Sequence, residues 1–295
     1  MSSTFFTEPP HWRWLIILYF FIGGLAGGCY FLASMIDLVG RPTDRPLARL
    51  GYLIAFPAVV VCGILLTADL GRPERFWHML LQSATWRPML KTYSPMSFGA
   101  WGLLVFSAFA FLSFLGALGE DERRHRFSFL RPPSVIGTIV SALGGLAGFF
   151  LASYTGVLLA VTNRPIWSDT TLLGAVFLVS SASTSIALLM LLGSRRVFLV
   201  GGLRALARFD TFVLVLELIT LVALVVSLGS LARVWLSAWG ALLLLGVVGI
   251  GIIVPLILEV RAHSPLSASA RAAAVLVLVG GFLLRVVIVL SSEAI

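Results

Sequence analysis

The chain has 295 residues, of which 59% are hydrophobic and only 12% are charged, and its mean hydropathy is +1.03. A soluble domain carries about 25% charged residues, so this composition excludes a water-soluble protein and predicts an integral membrane protein. The net charge of +8 comes largely from arginines in short loops between apolar runs, a pattern of membrane orientation. No nucleic-acid-binding motif accompanies it, so nucleic acid is not an expected partner.

Eight apolar stretches are long enough to cross a bilayer, which takes about 20 residues as a helix. Their residues do not alternate between apolar and polar, so they predict helices and not the strands of a barrel. The expected fold class is an all-α membrane protein in which one integral membrane domain covers residues 1–295. The predicted helices lie at about 14–36, 50–68, 97–118, 135–162, 170–193, 211–230, 235–258 and 272–290.

The loops predict the orientation of the chain in the membrane. Thirteen of the 21 Lys and Arg residues lie in loops that follow odd-numbered helices, and seven lie on the opposite side. This bias places the odd loops in the cytoplasm and both termini on the outer, periplasmic side. The loop between helices 2 and 3 is basic on the wrong side, which suggests a local use for its charges; they are Arg72, Arg75, Arg87 and Lys91.

Helices 1 and 4 are rich in glycine, which favours close helix contact in a membrane. The loop over residues 69–96 is the longest, and the spacing of its apolar residues after Pro73 predicts a short helix at the membrane interface. Asp69 and His78 lie in this loop. Histidine is the natural proton carrier near neutral pH, but a packed interfacial histidine is an equal alternative for His78.

Charged groups inside spans are costly and usually functional. Glu217 lies about a third of the way into helix 6 and is either part of a proton relay or a hydrogen-bonded structural group. Glu259, near the cytoplasmic end of helix 7, can reach water beside Arg261. Together with the serines of helix 5, these two carboxyls form a candidate proton path.

Arg285 lies about 14 residues into helix 8, in the outer half of the bilayer. Arg285 lies at a different depth in the bilayer from Glu259, but at the same depth as the outer ends of helices 2 and 4. An Arg285–Asp69 contact is therefore possible if helices 8 and 2 are neighbours, with a buried ion pair that fixes packing as the structural alternative.

A set of polar and aromatic residues is predicted to gather at the outer face, next to apolar helix walls. This mixture suits a quinone, because its tail needs an apolar crevice, its carbonyls need donors, and its hydroxyls need a base. The predicted set is Asp69, Arg72, His78, Lys91, Tyr93, Tyr154, Asn163, Trp167 and Arg285.

None of the four histidines lies within a predicted span, so the chain lacks the axial ligands of a membrane cytochrome b. Cys29 and Cys62 are too few for an iron–sulfur or zinc site. We therefore expect no haem, no iron–sulfur cluster and no metal in this protein. If it handles electrons, a bound quinone (menaquinone or ubiquinone) must be its redox group, and a partner must take the electrons.

Four motifs, in order along the sequence, resemble those of one family. They are DLGRPERFWHML at 69–80, TYSPMSFGAWGLLVF at 92–106, SYTGVLLAVTNRPIW at 153–167 and GGFLLRVVIVL at 280–290. With the glycine-rich helix 1 and the serine-rich helix 5, they make the chain similar to the NrfD family, the quinone-interacting membrane subunits of polysulfide reductase and related respiratory complexes.

The resemblance implies two four-helix bundles in the inner (cytoplasmic) membrane of a bacterium or archaeon. It implies docking onto a four-cluster ferredoxin-like iron–sulfur subunit, which connects to a catalytic, often molybdopterin, subunit. It also implies a quinol site at the outer end, with Asp69, His78 and Tyr154 as contacts. Two alternatives remain open: a proton-translocating subunit, and a passive anchor without a quinone site.

Overall fold

The computed structural model describes residues 12–119, 125–262 and 264–294. Within these ranges the chain is helical, apart from one isolated bridge between Leu81 and Pro88. Eight of the described helices are long and apolar enough to cross a membrane, which confirms the all-α class and the eight predicted spans. The helices are α1 (Trp14–Val39), α2 (Arg45–Asp69), α3 (Pro95–Leu118), α4 (Val135–Ala160), α5 (Leu173–Gly193), α6 (Val200–Leu228), α7 (Ala238–Arg261) and α8 (Ala268–Ser291).

Two helices begin earlier than their apolar runs predict. Helix α2 begins at Arg45 and not at residue 50, and α6 begins at Val200 and not at 211. The added turns of α6 carry Arg204 and Arg208, whose side chains are exposed. Because long basic side chains reach water from a helix end, the backbone stays helical beyond the stretch that apolarity alone marks.

Helix α7 is not a regular α-helix. Its middle part, Leu242–Ile253, is π-helical, and α-helical turns flank it on both sides. This segment packs on α8, where Gly251 and Gly280 are so close that a Cβ on either glycine would overlap the other. The wider winding of a π-helix changes which side chains face a neighbour, and here it places the glycine of α7 at the contact.

The packing of the helices centres on α1. Helix α1 contacts α2, α4 and α5, while α3 contacts α2 and α4. Helix α5 also contacts α4, α6 and α8, and α7 packs mainly on α8. A Cβ on Gly27 of α1 would overlap the carbonyl of Gly148 in α4, so the predicted role of the glycines in close helix contact is confirmed.

The long loop after α2 folds onto the start of α3. It contains the predicted short helix, which is a 3₁₀ helix at Pro73–Met79. Residues 80–89 then form a hairpin-like turn, in which Met89 N donates to Leu80 O at 2.8 Å. The Trp101 indole N–H donates to Met89 O at 3.1 Å, which ties the turn to α3.

Candidate functional site

Arg285 is the centre of a buried polar cluster inside the helices. Its side chain has no solvent exposure and makes four hydrogen bonds to α5 and to its own helix. Nη1 donates to Ser180 Oγ at 2.5 Å and to Gly281 O at 2.8 Å. Nη2 donates to Ser181 Oγ at 3.0 Å and to Phe177 O at 3.4 Å.

These contacts correct the expectation of an Arg285–Asp69 pair. The carboxylate whose charge acts on Arg285 is Glu217 of α6, whereas Asp69 is exposed at the end of α2. The packing of the helices explains this difference. Helix α8 packs on α5 and α7, whereas α2 lies on the far side of α1. A shared depth in the membrane therefore did not bring the two side chains together.

Ser180 connects the arginine to Glu217. Its hydroxyl accepts from Arg285 and lies close to Glu217, which is 3% exposed. Ser183, one turn along α5, is also near this carboxyl, but its hydroxyl makes no hydrogen bond to the described residues. The serines that α5 carries at helical spacing are thus the polar lining between the two charged groups.

Asp210 extends this cluster, and the sequence reasoning missed it. The residue is fully buried on α6 and lies next to Glu259 of α7, which also accepts from Thr211 at 3.2 Å. It was missed because the predicted helix began at 211, which left Asp210 in a loop. The signal was available, since Asp210 and Glu217 are seven residues apart and share a helix face with buried leucines.

Neither carboxyl oxygen of Asp210, nor Glu259 Oε1, receives a hydrogen bond of normal geometry from the described residues. Two ionised carboxylates have only acceptors, so they satisfy each other only with a proton between them. Polar side chains inside α5–α8 lie near one another in the order Glu259, Asp210, Ser183, Glu217, Ser180 and Arg285, and the Ser180–Arg285 step is a direct hydrogen bond.

A second group of polar side chains lies near the C-terminal end of α4, beside the start of α3. The Tyr154 hydroxyl donates to Pro95 O at 2.5 Å, and its ring stacks on Phe150. Tyr154 is 6% exposed, and a Cβ at Gly99 would overlap its ring. The glycine of α3 thus makes the space that Tyr154 occupies. Tyr19 of α1 lies within electrostatic range of Tyr154.

His78 has a defined tautomer in the 3₁₀ helix. Its Nδ1 lies 3.1 Å from Arg75 O and donates to it, so Nε2 is the acceptor nitrogen of the neutral ring. The ring stacks on Trp77 at 3.8 Å between centroids, and Trp77 stacks on Trp86 at 5.0 Å. His78 is half-buried, and no described residue makes a hydrogen bond to its Nε2.

The remaining predicted contacts are spread more widely. Arg72, Tyr93 and Asn163 are exposed, and Tyr93 is the most open of them at 83%. Trp167 corrects the expectation of an aromatic plate facing a ligand. It is fully buried, donates from Nε1 to Ile288 O at 2.8 Å and stacks on Trp12. Its ring fixes the loop after α4 to α8, because a buried indole needs both packing and an acceptor.

Of the ten predicted site residues, Asp69 ends α2, His78 lies in the 3₁₀ helix that follows, and Tyr154 of α4 reaches the start of α3. Arg285, Glu217 and Glu259 belong instead to the interior cluster of α5–α8. Among the described residues, no group of three or more His, Cys, Asp or Glu side chains is placed to hold a metal ion. His11 and His263 lie outside the described ranges.

Eight apolar helices with an arginine, two buried carboxyls and one half-buried carboxyl among them define a multi-pass membrane protein with a polar interior. The family model "Polysulphide reductase, NrfD" matches residues 2–295. The protein belongs to the NrfD family, which confirms the resemblance seen in its motifs.

Three curated relatives are similar to this protein. The C chain of the polysulfide reductase of Wolinella succinogenes is 28% identical over 276 residues, which covers 84% of this protein and 83% of the relative. The C subunit of the selenate reductase of Mesobacillus selenatarsenatis is 28% identical over 81 residues, or 28% and 19% of the two proteins. A putative dimethyl sulfoxide reductase membrane subunit of Halobacterium salinarum is 29% identical over 79 residues, or 27% and 18%.

Proposed function

We propose that this protein is the quinone-interacting membrane subunit of a respiratory oxidoreductase complex. The observation that carries the proposal is the outer group of Asp69, His78 and Tyr154. Together they offer a carboxylate, an imidazole with its Nε2 lone pair open, and a phenol. Membership of the NrfD family and similarity to a polysulfide reductase component support it.

The donor set fits the head group of a menaquinone or ubiquinone, which supplies two-electron, two-proton chemistry when bound. His78 Nε2 accepts a proton from a quinol hydroxyl, since Nδ1–H is held by Arg75 O. Asp69 is exposed at the end of α2 and passes protons to water. The Tyr154 hydroxyl must release Pro95 O before it can donate to a quinone carbonyl. That hydrogen bond also orients the quinone ring.

The proposal includes electron-carrying partners. Because the relatives are named as components of reductases, we assign two partners: a four-cluster ferredoxin-like iron–sulfur subunit and a catalytic, often molybdopterin, subunit. The exposed charges of Arg72 and its basic neighbours in the loop are placed to dock such a partner. Tyr93 and Asn163, also exposed, are assigned to the same outer face.

We further propose the arrangement in the membrane. Residues 1–295 form one domain in the cytoplasmic membrane of a bacterium or archaeon, with both termini on the periplasmic side. Helices α1–α4 and α5–α8 form two four-helix bundles that meet where α5 packs on α1 and α4. The outer group then faces the periplasm.

The test uses the complete assembly, purified with its partners, and follows the redox state of a short-chain quinone optically. We expect Asp69→Asn or His78→Ala to lower quinone-linked electron transfer by at least about 100-fold, the scale of a lost general base. Glu74→Gln is the matched control, because it removes an exposed carboxylate from the same loop. Co-purification of the partners shows that assembly persists. Full activity in both variants would place the site elsewhere.

A second function is favoured by the interior cluster, and the two functions are compatible. The series from Glu259 through Asp210 and Glu217 to Arg285 suits a proton path, because carboxyls and hydroxyls can pass a proton along hydrogen bonds. In proteoliposomes with a pH-sensitive dye inside, a path acting alone moves protons without quinone or partner. A path coupled to electron transfer moves protons only during turnover. The variant Glu217→Gln is expected to stop this proton movement.

A further inference from the structure

Three oxygen-bearing side chains lie together where α5, α6 and α7 meet. Asp210 of α6 and Ser183 of α5 have no solvent exposure, and Glu259 of α7 is half-buried, two residues before the end of its helix. Asp210 lies beside both Ser183 and Glu259. We call Ser183, Asp210 and Glu259 the oxygen cluster.

Most oxygens of the oxygen cluster make no hydrogen bond. Both carboxyl oxygens of Asp210, Glu259 Oε1 and Ser183 Oγ are buried and have no hydrogen-bond partner among the described residues. Thr211 Oγ1 lies 3.2 Å from the remaining oxygen, Glu259 Oε2. A buried polar atom without a partner costs about 1–3 kcal/mol. A ligand that accepts electron pairs from several of these oxygens at once would remove that cost.

The charges around the oxygen cluster favour a positively charged ligand. The charges that act on Asp210 are those of two other carboxyls, Glu259 and Glu217. The guanidinium of Arg285 acts on Glu217, so it offsets the charge of that carboxyl. Asp210 and Glu259 repel each other when both are ionised, and a positive charge between them turns this repulsion into attraction.

The chemistry of the oxygens indicates which cation fits. Carboxyl and hydroxyl oxygens are ligands of hard cations, whereas transition metals prefer sites with nitrogen or sulfur. Calcium takes six to eight oxygens, which is more than these three side chains possess. A monovalent cation that replaces a proton shared by the two carboxyls leaves the local charge unchanged. Sodium is the smaller of the abundant monovalent cations, which suits oxygens on side chains that already lie next to one another.

The position of Glu259 gives an ion a route from water. The helix ends at Arg261, whose side chain is exposed, while Asp210 lies deeper against α7. The segment before this end, Leu242–Ile253, is π-helical, and such departures from α-helical winding often mark functional sites. Sodium sites of membrane transporters likewise lie beside helices that are not regular throughout.

We propose that the oxygen cluster binds one sodium ion, with Asp210, Glu259 and Ser183 as its ligands. Ser183 supplies a neutral oxygen from α5, and the two carboxyls supply the charge from α6 and α7. The ion would therefore join three helices. The site stands apart from the quinone chemistry proposed above, and it stands whether or not protons use the same carboxyls.

The experiment measures equilibrium binding of radiolabelled sodium to the purified full-length protein in detergent, with choline chloride holding the ionic strength constant. We expect saturable binding of one ion per chain. Asp210→Asn removes a ligand charge and Ser183→Ala removes a ligand oxygen, so each should weaken binding at least about tenfold. Two variants are matched controls that leave binding unchanged: Ser34→Ala removes a buried hydroxyl of α1, and Glu74→Gln removes an exposed carboxylate.

Three outcomes would overturn the proposal. The first is wild-type protein without saturable sodium binding, and the second is unchanged affinity in both Asp210→Asn and Ser183→Ala. The third is displacement of sodium by calcium at a lower concentration than by unlabelled sodium, which would make the ligand a divalent cation. Should Asp210→Asn not fold, Ser183→Ala decides alone, because it removes a hydroxyl that makes no hydrogen bond to the described residues. Because the measurement involves no quinone or partner, its failure leaves the proposed electron transfer untouched.

Discussion

The connection between Arg285 and Glu217 predicts a large and specific coupling of stability. Ser180 accepts from Arg285 and lies beside Glu217, whose carboxyl is within electrostatic range of the guanidinium, so we take a separation of roughly 6 Å between the two charges. At an effective dielectric constant of about 20, unit charges at that separation attract by about 3 kcal/mol. Arg285→Met and Glu217→Gln each remove this attraction, but the double variant removes it only once.

The expected result is therefore strong non-additivity. Each single variant should lower the free energy of unfolding by about 3 kcal/mol or more, because it leaves one buried charge without its counter-charge. The double variant should be at least about 3 kcal/mol more stable than the sum of the two single effects. The assay is reversible unfolding in mixed micelles of mild detergent and dodecyl sulfate, followed by tryptophan fluorescence.

A second cycle with Glu293→Gln supplies the control. Glu293 is 40% exposed, lies near Arg164 and is eight residues beyond Arg285, roughly 12 Å along the helix. Its effect should add to that of Arg285→Met within about 0.5 kcal/mol. The reasoning fails if the Arg285–Glu217 cycle is also additive within that limit. If the double variant is stable but proton movement during turnover is lost, the pair has a functional role besides its structural one.

Three further predictions concern other parts of the protein. Gly99→Ala should push the Tyr154 ring away from Pro95 and lower quinone-linked turnover about tenfold, whereas Gly63→Ala, with open space around it, should leave turnover unchanged; steady-state rates of the assembly check both. Trp167→Phe leaves a buried carbonyl of α8 without its donor and should cost about 1–3 kcal/mol in unfolding while electron transfer persists, and a loss of electron transfer without destabilisation would contradict this. Asp210→Asn supplies an amide donor next to Glu259, so stability should be kept or raised while proton movement in proteoliposomes stops; unchanged proton movement would remove Asp210 from the path.

The proposed quinone site was predictable as residue types more than as an arrangement. Histidine, aspartate and tyrosine near one end of the helices follow from the order of the spans, and the structure places Asp69 at the end of α2, His78 just after it and Tyr154 beside the start of α3. The tautomer of His78 depends on the carbonyl of Arg75, which only the 3₁₀ turn brings near. The position of Tyr154 depends on the glycine at 99, on a different helix.

The sequence by itself determined the class of the protein, the number of its spans and the depth of each side chain along them. These properties are one-dimensional, because a bilayer of fixed thickness selects apolar runs of fixed length. The neighbours of a buried charge are not one-dimensional. Arg285 pairs through Ser180 with Glu217 and not with Asp69, because rotation and packing of α5, α6 and α8 decide which faces meet. Asp210 became part of the interior for the same reason, since the tertiary structure carries α6 beyond its apolar run and turns that carboxyl toward α7.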